Sequence, residues 1–146
     1  IYCASLEAFR GTVAPADERV HDARPHPGQK IVAQRIRDIM SDSEIIGSQL
    51  DYDRIQDPYS FRCAPQVHGA IYESLLQAQS TIHTEINSTT DNPLVFPGSS
   101  STKPQIVSQG NFHGEILALC ADRMSLAVFD LGSISERRMD QLLDPN

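Results

Sequence analysis

Basic residues are scarce in this sequence, which has 12 Lys and Arg against 19 Asp and Glu and a formal net charge of −7. Its only lysines are Lys30 and Lys103, and no stripe of basic residues is visible. Nucleic-acid affinity depends on clustered Lys and Arg that neutralise phosphates. The composition therefore argues against a nucleic-acid partner, and its acidic balance favours solubility.

Cysteines and long apolar runs are also scarce. Cys3, Cys63 and Cys120 are widely spaced and form no CxxC pair. An odd, scattered set argues against a disulfide framework and for a reducing compartment. No apolar run approaches the roughly 20 residues of a membrane span, and no signal peptide is visible. We expect a cytoplasmic protein with no membrane partner.

Aromatic residues make up only 6% of the 146 residues, although 40% of the sequence is apolar. A compact domain of this size usually carries more aromatic residues. The sequence also begins with Ile1 rather than methionine. We therefore expect residues 1–146 to be one internal segment of a longer protein.

Apolar residues recur at helical spacing in three stretches. Residues 29–40 predict a helix of about three turns. Residues 65–87 predict a helix roughly 35 Å long, since they carry one stripe: Val67, Ile71, Leu75, Ala78, Ile82 and Ile86. Residues 111–142 show the seam spacing of a helical bundle, at Leu117, Cys120, Met124, Ala127, Leu131 and Ile134.

The remaining stretches lack this period. Residues 1–10 are consistent with the end of a helix that Gly11 stops, and residues 42–63 and 91–110 read as long loops. The apolar pieces PLVF and QIV are isolated, so no strand is predicted. The expected fold is all-α, a long-helix bundle segment with two extended loops. Its helices need further helices, from the same or other chains, to bury their stripes.

Several kinds of catalytic centre find no support. None of the five histidines forms an HxxxH or Cys/His ligand pattern, so no metal site is expected. The phosphate-binding patterns GxxxxGK[ST] and GxGxxG and the nucleophile elbow GxSxG are absent. Cys120 lies on the apolar stripe and is interpreted as a buried, inert thiol.

The stretch QDPYSFR (56–62) combines polar chemistry in seven residues. The planar fork of Arg62 suits a carboxylate. Tyr59, three residues earlier, can donate, accept or act as a base beside that positive charge. The alternative is a solvated loop in which Arg62 pairs with Asp57 and Tyr59 covers the core. The residue types alone leave both readings open.

Taken together, five strings occur in a distinctive order: RPHPGQ at 24–29, QDPYSFRCAPQVHGA at 56–70, EINSTTDNPLVF at 85–96, GNFHGE at 110–115 and SISERR at 133–138. In this order and spacing the sequence strongly resembles the aromatic amino acid lyases along almost its whole length. The resemblance implies a mostly α-helical homotetramer whose active sites are shared between subunits.

The resemblance also implies an activity, the elimination of ammonia from an aromatic amino acid. The strings TDNPLVF, CAPQV and NFHG favour the histidine branch of the family, in which L-histidine gives trans-urocanate. A tyrosine or phenylalanine ammonia-lyase or an aminomutase of the same family is an alternative. A non-catalytic helical module that serves in assembly is a further one.

Four residues match family site positions. The resemblance implies that Arg62 holds the substrate carboxylate and that Tyr59 is the base that removes the β-proton or supports its removal. Gln56 would be a polar substrate contact. Phe112 would lie beside the electrophile. Because family sites combine several subunits, these four need not meet within one chain.

The family electrophile is a methylidene-imidazolone that forms from an internal Ala-Ser-Gly. These 146 residues contain no Ala-Ser-Gly, so it is expected upstream of Ile1, and a further family glutamate is expected downstream of Asn146. The segment by itself is therefore predicted to be inactive. Ala64, His68 and Gln109 depart from the family pattern, and the last two leave room for a divergent substrate.

Overall fold

The computed structural model describes residues 1–48 and 54–143, and these are predominantly helical. The helices are α1 (Tyr2–Phe9), α2 (Glu18–Asp22), α3 (Pro27–Met40), α4 (Glu44–Gly47), α5 (Tyr59–Arg62), α6 (Ala64–Ile86) and α7 (Glu115–Leu143). A 3₁₀ turn covers Ala14–Ala16, and two short strands, β1 (Leu94–Phe96) and β2 (Gln105–Val107), complete the described elements. The predicted helical fold class is confirmed.

The three predicted helices are present at nearly the expected positions. Helices α3 and α6 each carry a proline in the first turn, where the missing N–H breaks no helical bond. Helix α7 begins at Glu115, four residues later than predicted. Helix α1 ends on Arg10, which has a φ of 56° and lies one residue before the expected stop.

Gly11 has a different role, because it allows close packing. A Cβ there would lie 2.5 Å from Leu6 Cδ1 and 3.1 Å from Asp57 Oδ2.

The expectation of no strand was wrong. Residues 94–96 and 105–107 pair antiparallel, with Leu94 opposite Val107 and Val95 opposite Ile106. The tip of this hairpin is closed by a hydrogen bond from the Ser99 N–H to the Thr102 carbonyl, at 3.0 Å. Each apolar piece is only three residues long, so the pattern of either piece alone does not reveal its partner.

The predicted loop over 42–63 was only partly correct. It contains the short helices α4 and α5, and its residues 49–53 lie outside the described residues. Ser43 caps α4, since its hydroxyl accepts a hydrogen bond from the Ile46 N–H at 3.2 Å. The stretch QDPYSFR thus includes a helical turn.

Helix α6 packs against α3 at one end and against α7 along its length. Helices α3 and α6 contact each other through Gly28 of RPHPGQ and Gly69 of QDPYSFRCAPQVHGA. A Cβ on Gly28 would lie 2.2 Å from the Gly69 carbonyl oxygen, and a Cβ on Gly69 would lie 2.5 Å from the Gln29 nitrogen. Side chains at these positions would force the two helix backbones apart.

The apolar interior is small. One cluster joins Ala16 to Ala33, Ile36 and Met40 of α3. Beside it, Leu6 and Phe61 are fully buried, and the Phe9 and Phe61 rings stack with centroids 4.4 Å apart.

Large apolar side chains remain exposed along α6 and α7. Ile86 is 73% exposed on α6, and on α7 Leu126 and Phe129 are 68% and 71% exposed. Apolar surface of this extent is typical of a region that contacts other protein. No helix in the described part of the chain is both long and apolar enough to cross a lipid bilayer.

Candidate active site

Helix α5 is a single turn that presents two of the predicted site residues. Pro58 precedes it in an extended conformation, with φ −55° and ψ 154°. Residues three apart in a helical turn lie on the same side, so Tyr59 and Arg62 share one side of α5. Ser60 and Phe61 point inward and are buried. The local fold therefore separates an outward polar pair from an inward anchor.

Asp57 fixes the entry to this turn. Its side chain is only 2% exposed, and Oδ2 accepts a hydrogen bond from the Thr12 N–H at 2.8 Å. Its carboxylate therefore faces the Gly11–Thr12 backbone after α1. The alternative prediction was an ion pair between Asp57 and Arg62, and the described residues contain no such pair.

Tyr59 does not cover the core, because it is 67% exposed, whereas the nearby Phe61 is fully buried. Gln56 and Arg62 are exposed as well. Within residues 1–48 and 54–143, no hydrogen bond or ion pair engages the side chains of Gln56, Tyr59 or Arg62. These three polar side chains are therefore available to a ligand or to another chain.

Phe112 lies at the opposite end of the α6–α7 pair. Helix α7 runs antiparallel to α6, because its Arg138 contacts Ser60 and His68 whereas its Arg123 contacts Gln77. Phe112 precedes α7 and is 62% exposed. At 1.5 Å per residue, it lies roughly 35 Å from the level of α5. One copy of the chain thus brings Gln56, Tyr59 and Arg62 into one region and leaves Phe112 far from it.

Polar side chains hold the segment before Phe112 in place. Asn92 Oδ1 accepts a hydrogen bond from the Gln109 N–H at 2.8 Å, and Gln109 Nε2 donates to the Asp91 carbonyl at 2.6 Å. Gln109 Oε1 also accepts a bond from the Asn111 N–H. Gln109, one of the departures from the family pattern, therefore links the turn at 91–92 to Asn111.

A groove of about 560 Å³ opens beside Tyr59, between α5 and the C-terminal part of α7. Its wall carries charges of both signs, from Asp130, Arg137 and Asp140. Ser60 also lines the groove, and its buried hydroxyl has no hydrogen-bond partner among the described residues. Arg62, Gln56 and Phe112 do not line this groove.

Arg138 is the last residue of the string SISERR, and no role was predicted for it from the sequence. Arg138 is 4% exposed. Its Nε and Nη2 each lie 3.2 Å from the Ser60 carbonyl oxygen, and Nη2 lies 3.2 Å from His68 Nε2. Its Cζ lies 4.8 Å from the centroid of the Tyr2 ring. A string of charged residues near a helix end gives no sequence signal that one of them points inward.

His68 is the acceptor in this arrangement. Arg138 can only donate, so His68 Nε2 must accept and the imidazole must be neutral. Burial, and secondarily the positive charge of Arg138, lowers the pKa of His68 to about 4. Protonation would place a second positive charge next to Arg138.

We expect this histidine to make the folded protein less stable as the pH falls from about 6.5 to about 4. In that window the unfolded chain takes up a proton at His68 and the folded chain does not, so acid favours unfolding. Above about pH 6.5 His68 is neutral in both the folded and the unfolded chain, and the full stability is present. Below about pH 4 His68 is protonated in both, and the stability falls no further from this cause. The measurement is the thermal unfolding midpoint of the complete protein against pH, compared with His68→Leu. Equal slopes for the two proteins between these pH values would contradict the assignment.

Other chemistry is sparse in the described residues. They contain no group of three or more His, Cys, Asp or Glu side chains that could hold a metal ion. His21 is buried, and its Nε2 donates to the Pro15 carbonyl at 2.9 Å while Nδ1 accepts from Gln29 at 2.9 Å. The three cysteines are free and half-buried. Cys120 was expected to be buried and is only partly so.

The model of one protein family, "Aromatic amino acid lyase", matches residues 1–146. Histidine ammonia-lyase of Myxococcus xanthus is 46% identical over 142 residues, which cover 97% of this chain and 27% of that enzyme. A probable histidine ammonia-lyase of Halobacterium salinarum is 44% identical over 148 residues, with 97% and 28% coverage. This chain thus spans about a quarter of the length of these relatives.

Solved structures agree. Histidine ammonia-lyase from Trypanosoma cruzi aligns with a TM-score of 0.82 at 41% identity, covering 99% of this chain and 25% of that one. A tyrosine aminomutase from Streptomyces globisporus aligns with a TM-score of 0.85 at 32% identity, covering 98% of this chain and 30% of that one. The fold is therefore that of the helical ammonia-lyases and their aminomutase neighbours. The chain belongs to the aromatic amino acid lyase family.

Proposed function

We propose that this chain is the central helical segment of an ammonia-lyase that converts L-histidine to trans-urocanate and ammonia. The observation that carries the proposal is the paired exposure of Tyr59 and Arg62 on one side of a turn whose other side is anchored in the core. The curated relatives named above, at 44–46% identity, are histidine ammonia-lyases by name. This similarity supports histidine over other aromatic amino acids.

Arg62 would hold the substrate, because a guanidinium pairs with a carboxylate through two parallel hydrogen bonds. Tyr59, on the same side of the turn, would act on the β-proton of the held substrate. Gln56, three residues before Tyr59 and also exposed, would be a polar contact to the rest of the substrate. Holding the carboxylate while aiming one group at one proton is orientation catalysis, which supplies a large part of many enzymatic rate enhancements.

The proposed site needs more than one copy of the chain. Phe112 lies roughly 35 Å along the helix pair from α5, so it would serve a site to which another copy contributes Tyr59 and Arg62. The exposed apolar faces of α6 and α7 supply surface for such an assembly. These features support sites shared between subunits. In line with the family resemblance, we propose that the assembly is a homotetramer and that it is cytoplasmic.

The electrophile would come from residues upstream of Ile1, and the residues present here are compatible with it. Tyr59 and Arg62 are exposed and unengaged within the described chain, and Phe112 offers an exposed aromatic ring. When present, the methylidene-imidazolone would make the substrate amine a better leaving group or the ring electron-poor. The segment alone lacks this group, and we propose that it is inactive.

The test is urocanate absorbance after L-histidine is added to the complete protein, with L-phenylalanine and L-tyrosine as matched substrates. We expect turnover with histidine alone. Cinnamate or coumarate formation would assign the chain to a phenylalanine or tyrosine ammonia-lyase, and a β-amino acid product would assign it to an aminomutase. No product from any of the three would favour a non-catalytic assembly module.

A further inference from the structure

We propose that Arg138 is a positioning residue, which holds the Ser60 carbonyl so that α5 presents Tyr59 and Arg62 in a fixed orientation. This inference rests on the proposed function, since only a site at α5 gives that orientation a consequence. Arg138 is itself buried, with 4% of its surface exposed. It acts through the backbone between the two functional side chains.

The first support is that two long-range donors hold consecutive carbonyls of α5. Arg138 donates from Nε and Nη2 to the Ser60 carbonyl oxygen, with both distances 3.2 Å. The Tyr2 hydroxyl donates to the Phe61 carbonyl at 2.9 Å. Residue 65 is a proline and has no N–H, so the Phe61 carbonyl receives no helical bond from that position. A backbone N–H at the C-terminal cap of α5 also donates to this carbonyl, and the Tyr2 hydroxyl adds a long-range bond. A one-turn helix has few bonds of its own, and the two long-range donors come from opposite ends of the chain.

The second support is that the two donors, Arg138 and Tyr2, are in contact with each other. The guanidinium of Arg138 lies over the Tyr2 ring, with Cζ 4.8 Å from its centroid, and 5.9 Å from the centroid of the Phe61 ring. His68 Nε2 accepts a further hydrogen bond from Arg138 Nη2, at 3.2 Å. Burial raises the pKa of the Tyr2 hydroxyl, an effect that Arg138 opposes, so the phenol remains a donor.

The third support is the environment of the charge. Arg138 is 4% exposed, and among the described residues no carboxylate pairs with it. Burial lowers the pKa of this guanidinium, while Tyr2 acts in the opposite direction. Burying a cation without a carboxylate is costly, and an apolar residue would fill the same space without that cost. What the arginine adds is its planar guanidinium, which donates two hydrogen bonds to one carbonyl oxygen.

A displacement of α5 would move Tyr59 and Arg62 together. Misplacing a catalytic group by about 1 Å can lower a rate by about 100-fold. We therefore expect replacement of Arg138 to change both KM and kcat. A variant that merely contains less folded protein would show a lower apparent kcat with an unchanged KM.

The experiment compares the complete wild-type protein with Arg138→Met and Arg138→Lys. The matched control is Arg123→Met, an exposed arginine of the same helix whose partner is Gln77. Hydrogen–deuterium exchange is measured for amides 61–63, which donate the backbone bonds of the turn, and kcat and KM are measured with L-histidine. Size-exclusion chromatography and thermal unfolding report assembly and stability.

We expect Arg138→Met to speed exchange at amides 61–63 by about tenfold or more, the effect of losing an interaction of about 1.4 kcal/mol. We expect it to raise KM and to lower kcat/KM by about 100-fold in assembled protein. Arg138→Lys should be intermediate, and Arg123→Met should match wild type. Unchanged exchange together with an unchanged KM would overturn the proposal.

Two outcomes require a further comparison. If Arg138→Met does not assemble, Arg138→Lys carries the test, because lysine keeps the charge and loses the paired bonds to the Ser60 carbonyl; unchanged exchange at amides 61–63 in assembled Arg138→Lys would also overturn the proposal. If the wild-type protein has no activity on histidine, phenylalanine or tyrosine, the proposed function fails. The exchange data then decide separately whether Arg138 holds the turn.

Discussion

Replacing Tyr59 with phenylalanine in the complete protein is expected to lower kcat by about 10²–10⁴-fold, the usual contribution of a positioned acid or base. Tyr59 is 67% exposed, and its hydroxyl makes no hydrogen bond within the described residues. Removal of that oxygen should therefore leave the fold and the assembly unchanged. The measurement is urocanate formation under saturating histidine, with the oligomer checked by size-exclusion chromatography.

Tyr72→Phe is the matched control for this variant. Tyr72 lies in α6, where its ring faces the guanidinium of Arg35 at 5.5 Å, an interaction that phenylalanine keeps. We expect wild-type turnover from Tyr72→Phe. Wild-type turnover from Tyr59→Phe as well would remove the Tyr59 hydroxyl from the chemistry and leave Arg62 as a binding group only.

The second large effect is expected for Arg62→Lys, which should raise the apparent KM for histidine by about 10- to 100-fold. Hydrogen bonds to charged groups contribute about 1.5–3 kcal/mol, and lysine keeps the charge while losing the second parallel bond. The effect on kcat should be smaller than that of Tyr59→Phe. Initial rates over a range of histidine concentrations measure both quantities.

Arg19→Lys serves as the control, since Arg19 is exposed and pairs with Asp17 at 2.5 Å at the start of α2. It should leave both kinetic constants unchanged. An unaltered KM in Arg62→Lys, with Arg19→Lys also normal, would contradict the carboxylate-binding role. A fall in kcat alone would place Arg62 in the chemistry rather than in binding.

The local pattern of the sequence predicted the long helices well. Apolar spacing depends only on residues three and four apart, so the stripes of α3, α6 and α7 are visible without knowledge of the fold. Pro65 marked the start of α6, whereas the start of α3 was predicted at Gln29 and lies at Pro27. The hairpin of β1 and β2 was missed because its pairing joins residues about ten positions apart, and each strand is only three residues long.

The candidate site comes from the sequence, and its residues stay a prediction. The sequence resemblance singled out Gln56, Tyr59, Arg62 and Phe112, and their catalytic roles remain predictions. The structure adds that Asp57 faces the Gly11–Thr12 backbone and is not ion-paired with Arg62 among the described residues.

By itself the sequence determined the helical class, the family and the polar composition of the turn at 56–62, since each of these follows from local order and spacing. Only the tertiary structure decided that α5 faces outward with Tyr59 and Arg62, and that Phe112 lies at the far end of the helix pair. It alone revealed Arg138 as the buried partner of the Ser60 carbonyl. The physical reason is that these features depend on how distant parts of the chain pack together. The bond between Arg138 and Ser60, for example, joins residues 78 positions apart, and no local pattern of the sequence contains both.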